Sequence, residues 1–282
     1  MIAKTIWSGA KFFTGSTSKR IPYEVVYGLR HVLKDINKED CVITTALLEE
    51  QEYFFQTIEP AKIIKHFVTG VDFDVELVQV ALPKLYRHKP IYNVALYHEL
   101  GHFYNNHYKI IKYCQVIEPS LKPESFHLEE YFCDIIAASY TGYAIHKFLS
   151  CLVPDEKSCE SHPATKDRLK NIEDFLEGKT NKYIDVFNKA ITALGLPEIK
   201  IRFIKPDIHK CFNNIRPYEI KSIDEVHGIL DAAWEFLEIA QKSKSAPWCD
   251  IDEFEIHRIV NDLVEKSIRN RMIKEKWEHA TS

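Results

Sequence analysis

Five residues, His98-Glu99-Leu100-Gly101-His102, constrain this chain more than any other stretch. Residues four apart on an α-helix lie one above the other, so both imidazoles can converge on one ion while Glu99 sits at the edge of the same face. The flanks Val94-Ala95-Leu96-Tyr97 and Phe103-Tyr104 are uncharged and helix-compatible, where a solvated helix bearing a stray motif would carry charge. An HExxH helix supplies two metal ligands and a base, and leaves a third ligand to be found. The bland alternative is a pair of core histidines satisfied by hydrogen bonds, with Glu99 in a salt bridge.

The third ligand is expected downstream. A further histidine at metzincin spacing would fall at residue 108, which is Tyr108, so a carboxylate is expected instead. Glu130 and Asp134 lie four apart in HLEEYFCDIIAASY and project from one helix face. Glu130 can bind the metal, while Asp134, one turn along, can accept the outer N–H of a ligating histidine and fix its tautomer. Read blandly, the two are surface acids on an amphipathic helix. Their neighbours Tyr131, Phe132, Cys133, Ile135 and Ile136 speak for burial, where unpaired carboxylates are costly. Glu129 points roughly 100° away from Glu130. His127, three residues before Glu130, shares its face and stands as an alternative ligand; His107 turns away and suits a surface or capping role. Glu99 is placed as general base, taking a proton from zinc-bound water, whose pKa falls to about 7, and passing it to a leaving amine.

Around this motif the pattern predicts a mainly α protein with a small β-sheet, an α+β fold. Apolar residues at intervals of three and four predict a helix over 21–37, and the β-branched segment 41–47 a strand. Helical pattern continues over 48–67, divided by Pro60. The Val- and Leu-rich 72–82, stopped by Pro83, reads as a strand, and helices are expected over 91–114 and from about Pro123 to Phe148. Proline-led 163–176 and then 181–194 read as further helices. Pattern breaks around Lys205 to Pro217. Beyond it, Ser222 and Glu225 form a capping-box signature for a helix to about Gln241, with a last helix over 251–276 whose Arg269, Arg271, Lys274 and Lys276 read as a solvated end. The organisation expected is an N-terminal mostly helical region (1–70), a metallopeptidase core (71–204) and a C-terminal helical region (205–282).

Composition excludes several classes. A formal charge of -4 and a pI near 6.4 give no global attraction for nucleic acid. The stretch 135–153 is interrupted by His146 and Lys147, so it reads as a buried helix and no membrane span is expected. The 7 cysteines form no CxxC pairs and the N-terminus shows no signal-peptide core, so a cytoplasmic setting is expected.

Three ordered motifs together resemble the M48-type gluzincin peptidases: HELGH at His98–His102, ExxxD at Glu130–Asp134, and His162-Pro163 followed by Arg168 as an HPxxxxR element. They cover roughly residues 72–180. The resemblance implies a gluzincin-like zincin core with added helical regions, Zn2+ on His98, His102 and Glu130, Glu99 as base, and a protein or peptide substrate. It makes His162 a candidate oxyanion donor, against the plainer reading of helix capping before Pro163, and gives Arg168 the task of holding that loop or the motif helix. By analogy, the strand before the motif helix would edge the cleft and pair with extended substrate. The chain departs from the family's best-known members in lacking membrane-spanning helices, and only 27 residues separate His102 from Glu130. A soluble zinc metallopeptidase is therefore expected. A zinc hydrolase acting on a small molecule and a noncatalytic, zinc-stabilised interaction module are the alternatives.

Overall fold

A computed structural model describes residues 23–48, 53–58 and 76–281. Its first helix, α1 (Tyr23–Asp35), buries Val26, Leu29, Val32 and Leu33 along one stripe. It stops where Asn37 adopts a left-handed conformation (φ 58°), letting the Lys38 N–H reach back to the Leu33 carbonyl at 2.7 Å. The chain then forms β1 (Val42–Leu48), β2 (Phe54–Ile58) and β3 (Leu77–Pro83). The sheet order is β1-β3-β2, with β1 parallel and β2 antiparallel to β3. Val78, Val80, Ala81 and Leu82 of the central strand are fully buried, which explains its continuous apolar run.

The rest is helical, and the architecture is the expected mainly α, α+β one. A 3-10 turn (Pro90–Tyr92) leads into the motif helix α2 (Ala95–Tyr108), followed by α3 (Ile110–Ile117), α4 (Ser125–Thr141) and α5 (Ala144–Leu152). Next come α6 (Thr165–Leu176), α7 (Lys182–Ala193), the short α8 (His209–Asn213), α9 (Ile223–Lys242) and α10 (Glu253–Thr281). The motif helix α2 packs on α4 and beneath β2; α4 packs on α6 and α9; α10 lies against α9 and α1. One contiguous hydrophobic cluster runs from Val26 to Ile268.

Three expectations need correction. The helix expected over 91–114 is two, because Lys109 turns left-handed (φ 59°) between α2 and α3. The helix expected to reach Phe148 breaks at Gly142 (φ 57°), which separates α4 from α5. Within 48–67, residues 54–58 form a strand, since pairing with β3 outweighs local helical spacing; most of the remaining segment, like residues 72–75 of the expected second strand, lies outside the described residues. The stretch 205–217, where the sequence pattern breaks, holds the short α8 and buries Ile208 and Phe212. Among the described residues no helix is long and apolar enough to cross a membrane.

Candidate metal centre

Two helices meet at the motif because nothing stands between them. A methyl group on Gly101 would come within 2.7 Å of the Cys133 Cα, so only glycine lets α2 approach α4 this closely. The two helices face each other with His98 opposite Asp134 and His102 opposite Glu129. The Asp134 carboxylate accepts from His98 Nδ1 at 2.9 Å, and Glu129 Oε1 lies 3.0 Å from His102 Nδ1. A carboxylate at each Nδ1 holds the proton there and turns both Nε2 lone pairs inward.

The inward atoms form a compact array. The two Nε2 atoms are 3.2 Å apart, and the Glu130 carboxylate lies 3.4 Å from each, through Oε2 to His98 and Oε1 to His102. Tetrahedral ligands at about 2.0–2.1 Å from zinc sit roughly 3.3 Å from one another. The two nitrogens are thus spaced as neighbouring ligands of one small metal ion would be, with a Glu130 oxygen beside each. A nitrogen of each histidine and the Cys133 sulfur also fall within 4.8 Å of one another. Cys133 is therefore a second candidate for the third ligand beside Glu130, although burial pushes its thiol up to about 12. Burial alone would raise the Glu130 carboxyl, but the His102 and His98 imidazoles and the Arg168 guanidinium beside it outweigh that and hold it well below the usual carboxylate range.

Asp134 is wholly buried and doubly engaged. Arg168 of α6 donates to it through Nε and Nη2, both at 2.7 Å, and Arg168 Nη2 also lies 3.5 Å from Glu130. Burial penalises the Asp134 charge, yet the guanidinium and His98 outweigh that and keep its carboxyl low. Arg168 thus steadies the motif helix through Asp134.

Glu99 faces the same array from the edge of the helix. Burial pushes its carboxyl above the usual range and Glu130 adds to this, against the charges of His98 and His102 and the Phe55 backbone N–H, which donates to Glu99. That contact makes β2 the strand above the motif helix. The expectation that the strand ending at Pro83 edges the cleft is corrected: β3 is central and paired on both sides, β2 is the strand packed on the motif helix, and Tyr53 just before β2 lines the cleft. His162 Nε2 lies 3.9 Å from Glu130 Oε2, and its Nδ1 is 2.9 Å from Ser161 Oγ. It does not cap α6, whose N-cap is Ala164 with no side-chain hydrogen bond. His127 points elsewhere, its Nε2 meeting the Cys159 carbonyl at 2.6 Å on the surface.

His98, Glu99, Glu130, His162 and Arg168 open onto one cleft of about 550 Å³. Sequence reasoning had set Glu129 aside and passed over Cys133 and Phe55. Cys133 stands three residues from Glu130 and so shares its face, a legible signal; Phe55 carried none. No family model, no curated protein and no solved structure matches the chain.

Proposed function

We propose that the chain is a zinc-dependent metallopeptidase of the gluzincin kind, hydrolysing peptide bonds in a protein or peptide substrate. The observation that carries this reading is the triangle of His98 Nε2, His102 Nε2 and the Glu130 carboxylate, with edges of 3.2, 3.4 and 3.4 Å, beside Glu99 in an open cleft. His98, His102 and Glu130 would hold the ion. When bound, zinc supplies Lewis acidity towards a water molecule and a substrate carbonyl.

The remaining chemistry falls to the chain. Glu99, whose carboxyl burial raises above its usual range, is suited to accept a proton from the attacking water and deliver it to the departing amine. His162 Nδ1 is paired with the Ser161 hydroxyl, and in the tautomer that carries its proton on Nε2 the ring can donate to the oxyanion that develops on the carbonyl. The cleft favours an enzyme over a closed, metal-stabilised module.

The experiment is a comparison of wild type with Glu99→Gln. Elemental analysis should find about one zinc in both, and a peptide library should be cut by wild type alone. Zinc-loaded wild type that cuts no peptide would overturn the reading.

A further inference from the structure

The cleft has two chemically distinct walls. The motif helix and α4 supply His98, Glu99 and Glu130, whereas α5 presents Ile145, Phe148, Leu149 and Leu152. Those four positions are spaced i, i+3, i+4, i+7, the stripe by which a helix normally packs into a core. Here the stripe also borders the cleft, with Ile145, Phe148 and Leu149 buried behind its wall and Leu152 exposed at its mouth. Facing it are Tyr53 and Tyr86, stacked at 6.1 Å, with Tyr53 meeting Phe148 edge-on at 5.9 Å. The Tyr53 hydroxyl is committed to the Tyr92 carbonyl at 3.1 Å, so its ring offers carbon rather than a donor.

We propose that this apolar wall is the subsite that selects the substrate, taking a bulky aliphatic or aromatic side chain next to the bond to be cut. The inference rests on the peptidase reading above and adds to it the class of residue recognised. An apolar side chain entering the cleft exchanges water for contact with Phe148, Leu149 and the tyrosine rings, which is the favourable transfer that drives core formation. The carboxylates of Glu99, Glu130 and Glu156, which share the cleft, disfavour an acidic side chain there. The break at Gly142 sets this wall in place, because it starts α5 on a new axis after α4 has delivered Glu130.

The test separates recognition from chemistry. Zinc-loaded Glu99→Gln protein is titrated calorimetrically with blocked peptides that differ only in one central residue, Phe, Leu, Ala or Asp. Phe and Leu peptides should bind about 10- to 100-fold tighter than Ala, with Asp weakest. Leu152 is 38% exposed at the cleft and tolerates change, so Leu152→Asp should remove most of the preference. Leu149→Ala should shift it from Leu towards the larger Phe. Equal affinities for all four peptides, or a preference untouched by Leu152→Asp, overturns the subsite. Wild type is incubated with the same peptides: ordered binding without cleavage keeps the subsite and sinks the peptidase reading, while cleavage without order does the reverse.

Discussion

Glu129 Oε1 lies 3.0 Å from Nδ1 of His102, across the ring from the Nε2 atom that faces His98. With Asp134 on His98, each motif histidine therefore has its own outer carboxylate, and both come from α4. Such partners orient the ring and raise its basicity, and their loss commonly costs about 10–100-fold in metal affinity. Glu129→Gln should weaken zinc binding within that range, and Glu130→Gln should weaken it further because a ligand is lost. Competition with a chromophoric chelator measures both. Equal losses, or a Glu129→Gln protein that binds like wild type, would remove the distinction drawn between the two.

Gly101 sets the distance between the motif helix and α4. Alanine is the better helix former by about 1 kcal/mol, but its methyl group would meet the Cys133 backbone, which has no rotamer to yield. Steric overlap wins, since forcing extra volume into a packed contact costs about 1–3 kcal/mol. Gly101→Ala should unfold at lower denaturant and bind zinc more weakly. A variant more stable than wild type would show that the contact relaxes at no cost.

Arg168 and Asp134 form a buried, two-bond ion pair. Removing one member leaves the other charged and undercompensated, a loss of about 3–5 kcal/mol. Arg168→Leu should fall in that range by chemical denaturation. Arg168→Lys, which keeps charge but lacks the planar fork, should lose less. Leucine and lysine variants of equal stability would mean that the charge contributes nothing.

His227 lies buried behind the motif helix, with its Nδ1 3.1 Å from the Tyr97 hydroxyl. Burial, with a smaller push from His31, lowers it to about 3. The unfolded chain thus binds a proton near pH 6.5 that the folded chain refuses. Stability from this neutral histidine is complete above pH 6.5 and is lost as pH falls from there towards 3, by at most about 1.4 kcal/mol per unit. Thermal melts at pH 5 and pH 7 should differ less for His227→Gln than for wild type. An identical pH dependence in the two proteins would sink the assignment.

Much of this centre was legible in linear spacing. Four-residue separations are a property of one helix, so His98 with His102 and Glu130 with Asp134 could each be paired from the chain alone. The same logic misled for Glu129. A rotation of about 100° relative to Glu130 would matter if α4 faced a single point, but α4 lies along α2, and a long side chain one position off reaches the next turn of the motif helix. The capping reading of His162 lapsed for a related reason: a His-Pro pair suits a helix start, but α6 begins two residues further on at Thr165. Phe55 acts through its backbone N–H, which no residue type announces.

By itself, then, the sequence determined the general run of helical segments, though not their breaks at Lys109 and Gly142 or the strand at 54–58, together with the two in-register polar pairs and the residue types that could hold a metal, because these follow from local periodicity and side-chain chemistry. The tertiary structure decided the rest: that α2 and α4 meet at Gly101, that Glu130 stands 3.4 Å from both imidazoles, that β2 and not β3 reaches Glu99, and that α5 lines the cleft with carbon. Those are distances between segments far apart in the chain, and they are set by which apolar surfaces close against one another when the core forms.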